Sequence, residues 1–264
     1  MTIPWPFRGK VAVSGASIEA HAFGPPPREK PTLVFLHEGL GSLAMWRDFP
    51  AALAEKTGWG AFVFSRPGYG ASSPAVLPRR TTYMHEDAAL LPALFEAAAI
   101  SEPVLVGHSD GASIAIIYAA SEMKPRPSAL LLEAPHVFVE PLGIESIAKA
   151  RDIFQTTDFA TRLQRYHELA VSHVFWGWND IWLHPDFASW NIEDVLPAVT
   201  VPTLIVQGEE DEYGTWAQVT AIERRVNAAV TTARLLDCGH SPHRDQPDRT
   251  LEAMSAFLRG LVVR

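Results

Sequence analysis

Six short apolar runs recur along the chain, and each is made mostly of aliphatic or aromatic residues. Their sequences are TLVFLH from Thr32, GAFVFS from Gly60, PVLVGHS from Pro103, SALLLEA from Ser128, PTLIVQG from Pro202 and ARLLDCG from Ala233. Unbroken apolar character over so few residues is typical of strands that are buried on both faces. We therefore predict six strands in the interior of a sheet.

Helical patterns fill most of the intervals between these runs. They cover Phe49 to Thr57, Tyr83 to Ile100, Ala112 to Glu122, Trp216 to Val226 and Arg249 to Leu261. Parallel strands need long crossover connections, so alternating strand and helix patterns predict an α/β fold whose parallel sheet is flanked by helices. The opening segments KVAVSG and SIEAHAFG predict an antiparallel hairpin instead.

This alternation stops between about Phe138 and Pro197, where helical patterns follow one another. Four of the eight tryptophans fall in the interval, at Trp176, Trp178, Trp182 and Trp190. We predict that residues 138–197 form an inserted helical cap on a core built from residues 1–137 and 198–264. Tryptophan fills small cores and also lines ligand pockets, so both roles stay open for these four residues.

The composition is typical of a folded globular protein. Of 264 residues, 47% are hydrophobic and 20% are charged, which is close to the average for globular domains. The net charge of −8 and the lack of a basic run argue against nucleic acid as a partner. The single cysteine, Cys238, allows neither an intramolecular disulfide nor a thiolate zinc cluster.

Targeting and membrane signals are not evident in the sequence. The opening MTIPWPFRGK contains two prolines and no apolar h-region. The most apolar windows, such as ALLPALFEAAAI, are interrupted by Pro92 and Glu96 and are too short to span a bilayer. We expect a cytoplasmic protein without a membrane partner, and the sequence carries no signal for an oligomeric state.

A GxSxG string joins the run at Pro103 to the helix pattern at Ala112, and it reads Gly107-His108-Ser109-Asp110-Gly111. A nucleophile elbow holds its serine in a strained turn between a strand and a helix, and the flanking glycines avoid steric collision there. The string alone occurs by chance about once in ten chains of this length. Its position after a strand and before a helix is what an elbow requires, so we predict that Ser109 is a nucleophile.

A serine nucleophile needs a general base, and that base needs an acid to orient it. Asp211 follows the run PTLIVQG, and His240 follows the run ARLLDCG. Both residues therefore lie at carboxyl ends of predicted parallel strands, the edge at which open α/β sheets bind ligands. We predict a catalytic triad of Ser109, His240 and Asp211, which requires no metal and no cofactor.

Other residues compete for the acid and base roles. The alternative acids are Glu209, Glu210 and Glu133, and the alternative bases are His243, His136, His108 and His37. His240 is favoured because one glycine separates it from the predicted strand, whereas His243 is expected to cap the following turn. A metal site at His240, His243 and Asp245 is not expected, because two histidines within four residues are a weak signal.

The segment after the first parallel strand, His37-Glu38-Gly39-Leu40-Gly41-Ser42, is a candidate oxyanion loop. We predict the backbone N–H groups of Gly39 and Asp110 as the oxyanion hole, with Leu40 as the second choice in the loop. A carboxylate beside a developing oxyanion is repulsive, so Glu38 is expected to point away and to bond with backbone N–H groups. The side chain of Asp110 is expected to be structural, because a helix N-terminus favours a negative charge.

Five ordered motifs carry a family resemblance: HEGLGS, SRPGYGASS, GHSDGA, GEEDEYGT and CGHSPHRDQP. They resemble the serine hydrolases of the alpha/beta-hydrolase superfamily, in particular the capped bacterial carboxylesterases and the hydrolases that split carbon–carbon bonds. The resemblance implies an alpha/beta-hydrolase fold with eight mostly parallel strands, a cap after the sixth strand and the same triad. The turn at Gly68, Tyr69 and Gly70 is expected to brace the catalytic face.

The leading functional hypothesis is a serine esterase that acts on small, largely apolar carboxylic esters through an acyl-enzyme intermediate. Carbon–carbon bond hydrolysis and acyl transfer or perhydrolysis by the same triad are alternatives, and a non-catalytic small-molecule receptor is a third. The expected substrate-binding residues are Leu40, His136, Phe175, Trp176, Trp178 and Trp182.

Overall fold

Eight strands form one sheet through the centre of the protein. A computed structural model describes residues 2–262 of the chain. The strands are β1 (Phe7–Val13), β2 (Ala16–Phe23), β3 (Thr32–Leu36), β4 (Gly60–Phe64), β5 (Pro103–His108), β6 (Ala129–Glu133), β7 (Thr203–Gly208) and β8 (Val230–Leu235).

The strand order in the sheet is β1-β2-β4-β3-β5-β6-β7-β8. The pairs β1–β2 and β2–β4 are antiparallel, and every other neighbouring pair is parallel. This arrangement confirms the expected fold class. The carboxyl ends of β3 and of β5 to β8 meet along one edge, and all the predicted chemistry lies on the loops of that edge.

Helices connect the parallel strands. The α-helices are α1 (Phe49–Thr57), α2 (Tyr83–Ala97), α3 (Asp110–Ala120), α4 (Pro141–Thr156), α5 (Phe159–Gln164), α6 (Val171–Trp182), α7 (Trp216–Arg225), α8 (Pro242–Asp245) and α9 (Pro247–Val262). Short 3-10 helices span Leu43–Trp46, Pro185–Phe187 and Leu196–Ala198.

Alternate side chains of each central strand enter two separate core layers. In β3, Val34 and Leu36 pack in the layer that contains α2 and α3, whereas Leu33 and Phe35 pack in the layer that contains α1 and α9. This division follows from the two-residue period of a strand. Burial on both faces explains why the central strands read as unbroken apolar runs.

The last strand differs from its predicted position. β8 begins at Val230 and ends at Leu235, whereas the apolar run had placed a strand from Ala233 to the vicinity of Gly239. β8 is an edge strand whose side chains are mostly half-buried or exposed, so its first half carries no continuous apolar signal. His240 therefore follows the strand after a four-residue loop, and the expectation of a single intervening glycine was wrong.

Between β6 and β7 the chain forms α4, α5, α6 and two of the 3-10 helices, and all but Ala198 of these elements lies within the interval predicted as a cap. Gln218 connects the start of this interval to α7, the helix that follows β7. Its Oε1 accepts from the N–H of Val137 at 2.8 Å, and its Nε2 donates to the carbonyl of Phe138 at 3.0 Å. The division of the chain at residues 138 and 197 stays a prediction.

Within residues 2–262, no helix combines the length and the apolar character that a bilayer crossing requires.

Candidate active site

Ser109 lies between the last residue of β5 and the first residue of α3. Its backbone has φ 53° and ψ −119°, a left-handed conformation that is strained for a residue with a side chain. A Cβ atom at Gly107 would collide with the backbone of Gly111 and Ala112, and one at Gly111 would collide with the carbonyl of Leu36. Glycine at both positions therefore lets the strand, the turn and the helix pack this closely.

Three side chains from three separate loops form one hydrogen-bonded chain. The Ser109 Oγ lies 2.9 Å from His240 Nε2, and His240 Nδ1 lies 2.8 Å from Asp211 Oδ1 and 3.0 Å from Oδ2. A carboxylate can only accept, so Nδ1 carries the proton and donates it to Asp211. Nε2 is then free to accept the proton of the serine hydroxyl.

Asp211 is held by donors besides the imidazole. Its Oδ2 accepts from Gln207 Nε2 at 2.8 Å, and its Oδ1 accepts from the N–H groups of Tyr213 at 2.8 Å and Gly214 at 3.2 Å. Burial raises the pKa of the Asp211 carboxyl, but the His240 charge and these hydrogen bonds outweigh burial, so its pKa lies below the ordinary range. Asp211 therefore stays ionised and keeps His240 oriented.

The alternative acids and His243 make other contacts. Glu133, at the end of β6, accepts from His243 Nδ1 at 2.7 Å and from the His243 N–H at 3.1 Å. Glu209 pairs with Arg234, and Glu210 is exposed. His243 lies within the short helix α8 and is buried, so the expectation that it caps a turn was wrong.

The loop after β3 brings Gly39 to the same cavity as Ser109. Within residues 2–262, neither the N–H of Gly39 nor the N–H of Asp110 donates a hydrogen bond to another protein group. Asp110 is the first residue of α3, where the N–H has no partner inside the helix. Both N–H groups are thus available to an oxygen atom bound beside Ser109.

Glu38 does not take the position expected from the sequence. It lines the cavity, and its Oε2 lies 3.6 Å from Nδ1 of His108 rather than against backbone N–H groups. Burial raises the pKa of Glu38, but the neighbouring histidines, with His108 first, hold it below the ordinary range. The pairing of Glu38 with His108 offsets the repulsion that had argued for its turning away.

A cavity of about 240 Å³ opens in front of Ser109, between the strand-end loops and α4, α5 and α6. Leu40, His136, Trp178 and Trp182 line it, as the sequence had indicated. Its wall also includes residues that were not predicted from the sequence, namely Met45, Ile147, Phe159, Leu163, Tyr213 and Arg244. The wall is therefore mainly apolar with a few polar groups.

Phe175 and Trp176 are not part of this cavity wall, contrary to expectation. Phe175 is fully buried and stacks on Phe154 with the ring centroids 3.9 Å apart. Trp176 packs edge-on against the same Phe154 at 5.7 Å. Both residues belong to the aromatic packing between α4 and α6.

Comparison with known proteins identifies the family. The model of the alpha/beta hydrolase family matches residues 33–253. The chain belongs to the alpha/beta hydrolase family. A proline iminopeptidase of Lactobacillus helveticus is 25% identical in an alignment 272 residues long, which covers 87% of this chain and 90% of the relative.

Solved alpha/beta hydrolase structures share the fold over nearly the whole chain. A putative lipase from Acinetobacter baumannii has a TM-score of 0.79 and 18% identity, with 97% of this chain and 92% of the lipase covered. An esterase from Exiguobacterium antarcticum has a TM-score of 0.73 and 19% identity, with 96% of this chain and all of the esterase covered.

Two buried histidines beside the hydrogen-bonded Ser109, His240 and Asp211 differ in charge. Burial lowers the pKa of His136 to about 3, and the His240 charge acts in the same direction, so His136 is neutral. Burial also lowers the pKa of His108, but its contact with Glu38 reverses this and raises the value to about 9. The sequence places both at strand ends but carries no signal for this difference, which depends on a partner distant in the chain.

His108 also connects the elbow to the loop that carries His240. Its Nε2–H donates to the backbone carbonyl of His240 at 2.7 Å. His108, which precedes Ser109, thus holds the backbone of His240, and His240 accepts the hydrogen bond of the Ser109 hydroxyl.

Proposed function

We propose that this chain is a serine hydrolase that cleaves carboxylic esters through an acyl-enzyme intermediate. The observation that carries the proposal is the unbroken hydrogen-bonded chain from the Ser109 hydroxyl through His240 to Asp211. Ser109 Oγ attacks the ester carbonyl carbon, and its proton passes to His240 Nε2. Asp211 stabilises the imidazolium that results.

The tetrahedral intermediate carries its negative charge on the former carbonyl oxygen. In the proposed mechanism the N–H groups of Gly39 and Asp110 donate to this oxyanion, and each such donor contributes roughly a hundred- to a thousandfold in rate. The imidazolium then returns its proton to the departing alcohol oxygen. Water, activated by His240, releases the carboxylic acid and restores Ser109.

The cavity supports a small, largely apolar substrate. Apolar side chains of Leu40, Ile147, Leu163, Trp178 and Trp182 surround the space in front of the serine. A volume of about 240 Å³ suits a short acyl chain or one aromatic ring. We therefore propose short-chain or aromatic esters as the substrate class. Neutral His136, whose ring centroid lies 5.4 Å from that of His240, is one of the polar groups beside the triad.

The test of the proposal is hydrolysis of p-nitrophenyl acetate and butyrate by the wild type, by Ser109→Ala and by Ser128→Ala. The Ser128→Ala variant is the control, because Ser128 directly precedes β6, does not line the cavity, and donates its hydroxyl proton to the carbonyl of Pro103. We expect Ser109→Ala alone to lose hydrolysis and to lose labelling by a fluorophosphonate. Wild-type rates in Ser109→Ala would overturn the proposal.

Release of N-terminal proline is a second candidate, because proline iminopeptidases are related over most of the chain. Glu38 and Glu212 both line the cavity, and a carboxylate there can pair with a substrate amine. Turnover of L-proline p-nitroanilide at a higher kcat/KM than any p-nitrophenyl ester would favour the peptidase. Higher kcat/KM for the esters, with Ser109 required, supports the esterase.

A further inference from the structure

Arg66 is a buried charged residue that the mechanism above does not use. It follows β4 within the SRPGYGASS motif, and it is 1% exposed. Its Nη1 donates to Asp87 Oδ2 at 2.7 Å, and its Nη2 donates to the backbone carbonyl of Glu38 at 2.9 Å. The same Nη2 lies 3.7 Å from Asp110 Oδ2. One guanidinium therefore reaches both segments that carry the proposed oxyanion donors.

The carbonyl of Glu38 belongs to the same peptide unit as the N–H of Gly39. Besides Arg66, the Nδ1–H of His37 donates to this carbonyl at 2.8 Å, and the N–H of Gly41 donates at 3.1 Å. In a planar trans peptide the C=O and N–H groups point in opposite directions. Fixing the carbonyl on Arg66 therefore directs the Gly39 N–H the other way, toward the cavity that Gly39 lines.

Arg66 also fixes the orientation of His37. The backbone N–H of Arg66 donates to His37 Nε2 at 3.0 Å, which leaves Nδ1 as the protonated nitrogen. That nitrogen donates to the Glu38 carbonyl. Both the backbone and the side chain of Arg66 thus act on the one peptide unit.

On the other side of the site, the Asp110 carboxylate is held by two other buried side chains. Its Oδ2 accepts from the Tyr83 hydroxyl at 2.8 Å and faces the Arg66 guanidinium. With its side chain held, the first residue of α3 keeps its N–H at a fixed angle to Ser109. The two donors therefore share one buried cation as a common support.

We propose that Arg66 is a positioning residue that sets the two oxyanion donors, the N–H groups of Gly39 and Asp110, at the angle required by the tetrahedral intermediate. This inference rests on the proposed acyl-transfer function and deepens it. Arg66 also polarises the Glu38–Gly39 peptide, because a hydrogen bond to the carbonyl strengthens the N–H of the same unit as a donor. It touches neither substrate nor Ser109 in this role.

The experiment compares Arg66→Lys with Arg79→Lys. Lysine keeps the positive charge but cannot hold Asp87, Asp110 and the Glu38 carbonyl with one planar group. Arg79 is the matched control. The guanidinium groups of Arg66 and Arg79 lie over the Tyr69 ring, 4.8 Å and 5.0 Å from its centroid, but Arg79 donates its hydrogen bond to the carbonyl of Pro67. The rates are measured with p-nitrophenyl butyrate and divided by the concentration of active sites titrated with a fluorophosphonate.

We expect Arg66→Lys to lower kcat per titrated site roughly a hundredfold while KM changes less than threefold. A trifluoromethyl ketone, which forms a tetrahedral adduct with serine, should lose affinity by the same factor as kcat. A merely structural role would reduce the number of active sites and leave kcat per site and inhibitor affinity unchanged. Arg79→Lys should retain both values within about threefold.

Equal kcat per titrated site in Arg66→Lys and Arg79→Lys would overturn the inference while leaving the esterase proposal intact, provided that Ser109→Ala is inactive. Hydrolysis by Ser109→Ala at the wild-type rate would instead overturn the proposed function itself. If Arg66→Lys does not fold, Asp87→Asn decides, because it keeps the guanidinium but loosens its Nη1. Asp87→Asn is expected to lower kcat per site roughly tenfold, and an unchanged value would refute the inference.

Discussion

The buried pair of His108 and Glu38 makes the stability of this protein depend on pH in a defined window. The pKa of His108 is about 9, against an ordinary value of 6.5. Because the folded state binds this proton more tightly, the stabilisation is fully present below pH 6.5 and is lost as the pH rises through about 9. At about 1.4 kcal/mol for each pH unit, this interval corresponds to about 3 kcal/mol.

The perturbation is His108→Gln, which removes the titration but keeps an N–H donor for the carbonyl of His240. The free energy of unfolding in urea is measured for both proteins from about pH 6 to about pH 10. We expect the stability advantage of the wild type over the variant to shrink by about 3 kcal/mol across this range. Glu38→Gln should flatten the curve in the same way, because it removes the carboxylate that faces Nδ1.

Other groups also titrate in this pH range, but their contribution cancels when the unfolding free energy of His108→Gln is subtracted from that of the wild type at each pH. The buried Cys238 thiol, whose pKa is raised to about 12 by burial, destabilises both proteins alike at high pH. The groups that face His108 are Glu38, Glu133, His240 and His243. Parallel stability curves for the wild type and His108→Gln would refute the reasoning, as would an NMR titration that places the His108 pKa near 6.5.

Three further predictions concern catalysis and the helical interval. Asp211→Asn is expected to lower kcat for p-nitrophenyl butyrate about ten-thousandfold, because the wrong His240 tautomer is favoured, while urea unfolding shows a folded protein. Gly39→Ala places a methyl group against the Trp178 indole, so kcat should fall roughly a hundredfold, and adding Trp178→Ala should recover part of that loss. Gln218→Leu leaves the buried N–H of Val137 without its acceptor. It should therefore lower the free energy of unfolding in urea by about 1–3 kcal/mol. A decrease below about 0.5 kcal/mol, the size of an ordinary surface substitution, would contradict this prediction.

Local sequence signals were sufficient for most of the sheet and for the turn between β5 and α3 that carries Ser109. The runs at Thr32, Gly60, Pro103, Ser128 and Pro202 are strands because both faces of each strand are buried. The edge strand β8 escaped the same criterion at its start, where Val230, Thr231 and Thr232 face solvent in part. Continuous apolar character detects buried strands and misses edge strands.

The placement of polar partners could not be predicted from local patterns. Glu38 and His108 are 70 positions apart, and Glu133 and His243 are 110 positions apart. Each pair forms because parallel strands bring their carboxyl ends to one edge, and the loops then choose among several acidic and basic residues. Sequence pattern predicts which edge carries the polar residues, whereas the loop conformations decide which residues pair.

The wall of the cavity shows a similar limit. Phe175, Trp178 and Trp182 follow one another at helical spacing, so periodicity places them on one face of α6. Only the end of that face near Trp178 and Trp182 meets the cavity, because Phe154 of α4 covers Phe175. Helical periodicity predicts the face of a helix but not what each turn of that face contacts.

Under the proposed function, the contact between Trp178 and Gly39 ties substrate choice to reaction rate. The indole sits where any side chain at position 39 would have to be, so α6 presses directly on the loop that carries a proposed oxyanion donor. A smaller residue at position 178 enlarges the space for the acyl group and also removes the packing contact that holds the loop at Gly39. Under the proposed mechanism, a variant that accepts larger acyl groups through this position therefore also turns them over more slowly. Variants selected for bulky esters should need a second substitution that stabilises the loop again.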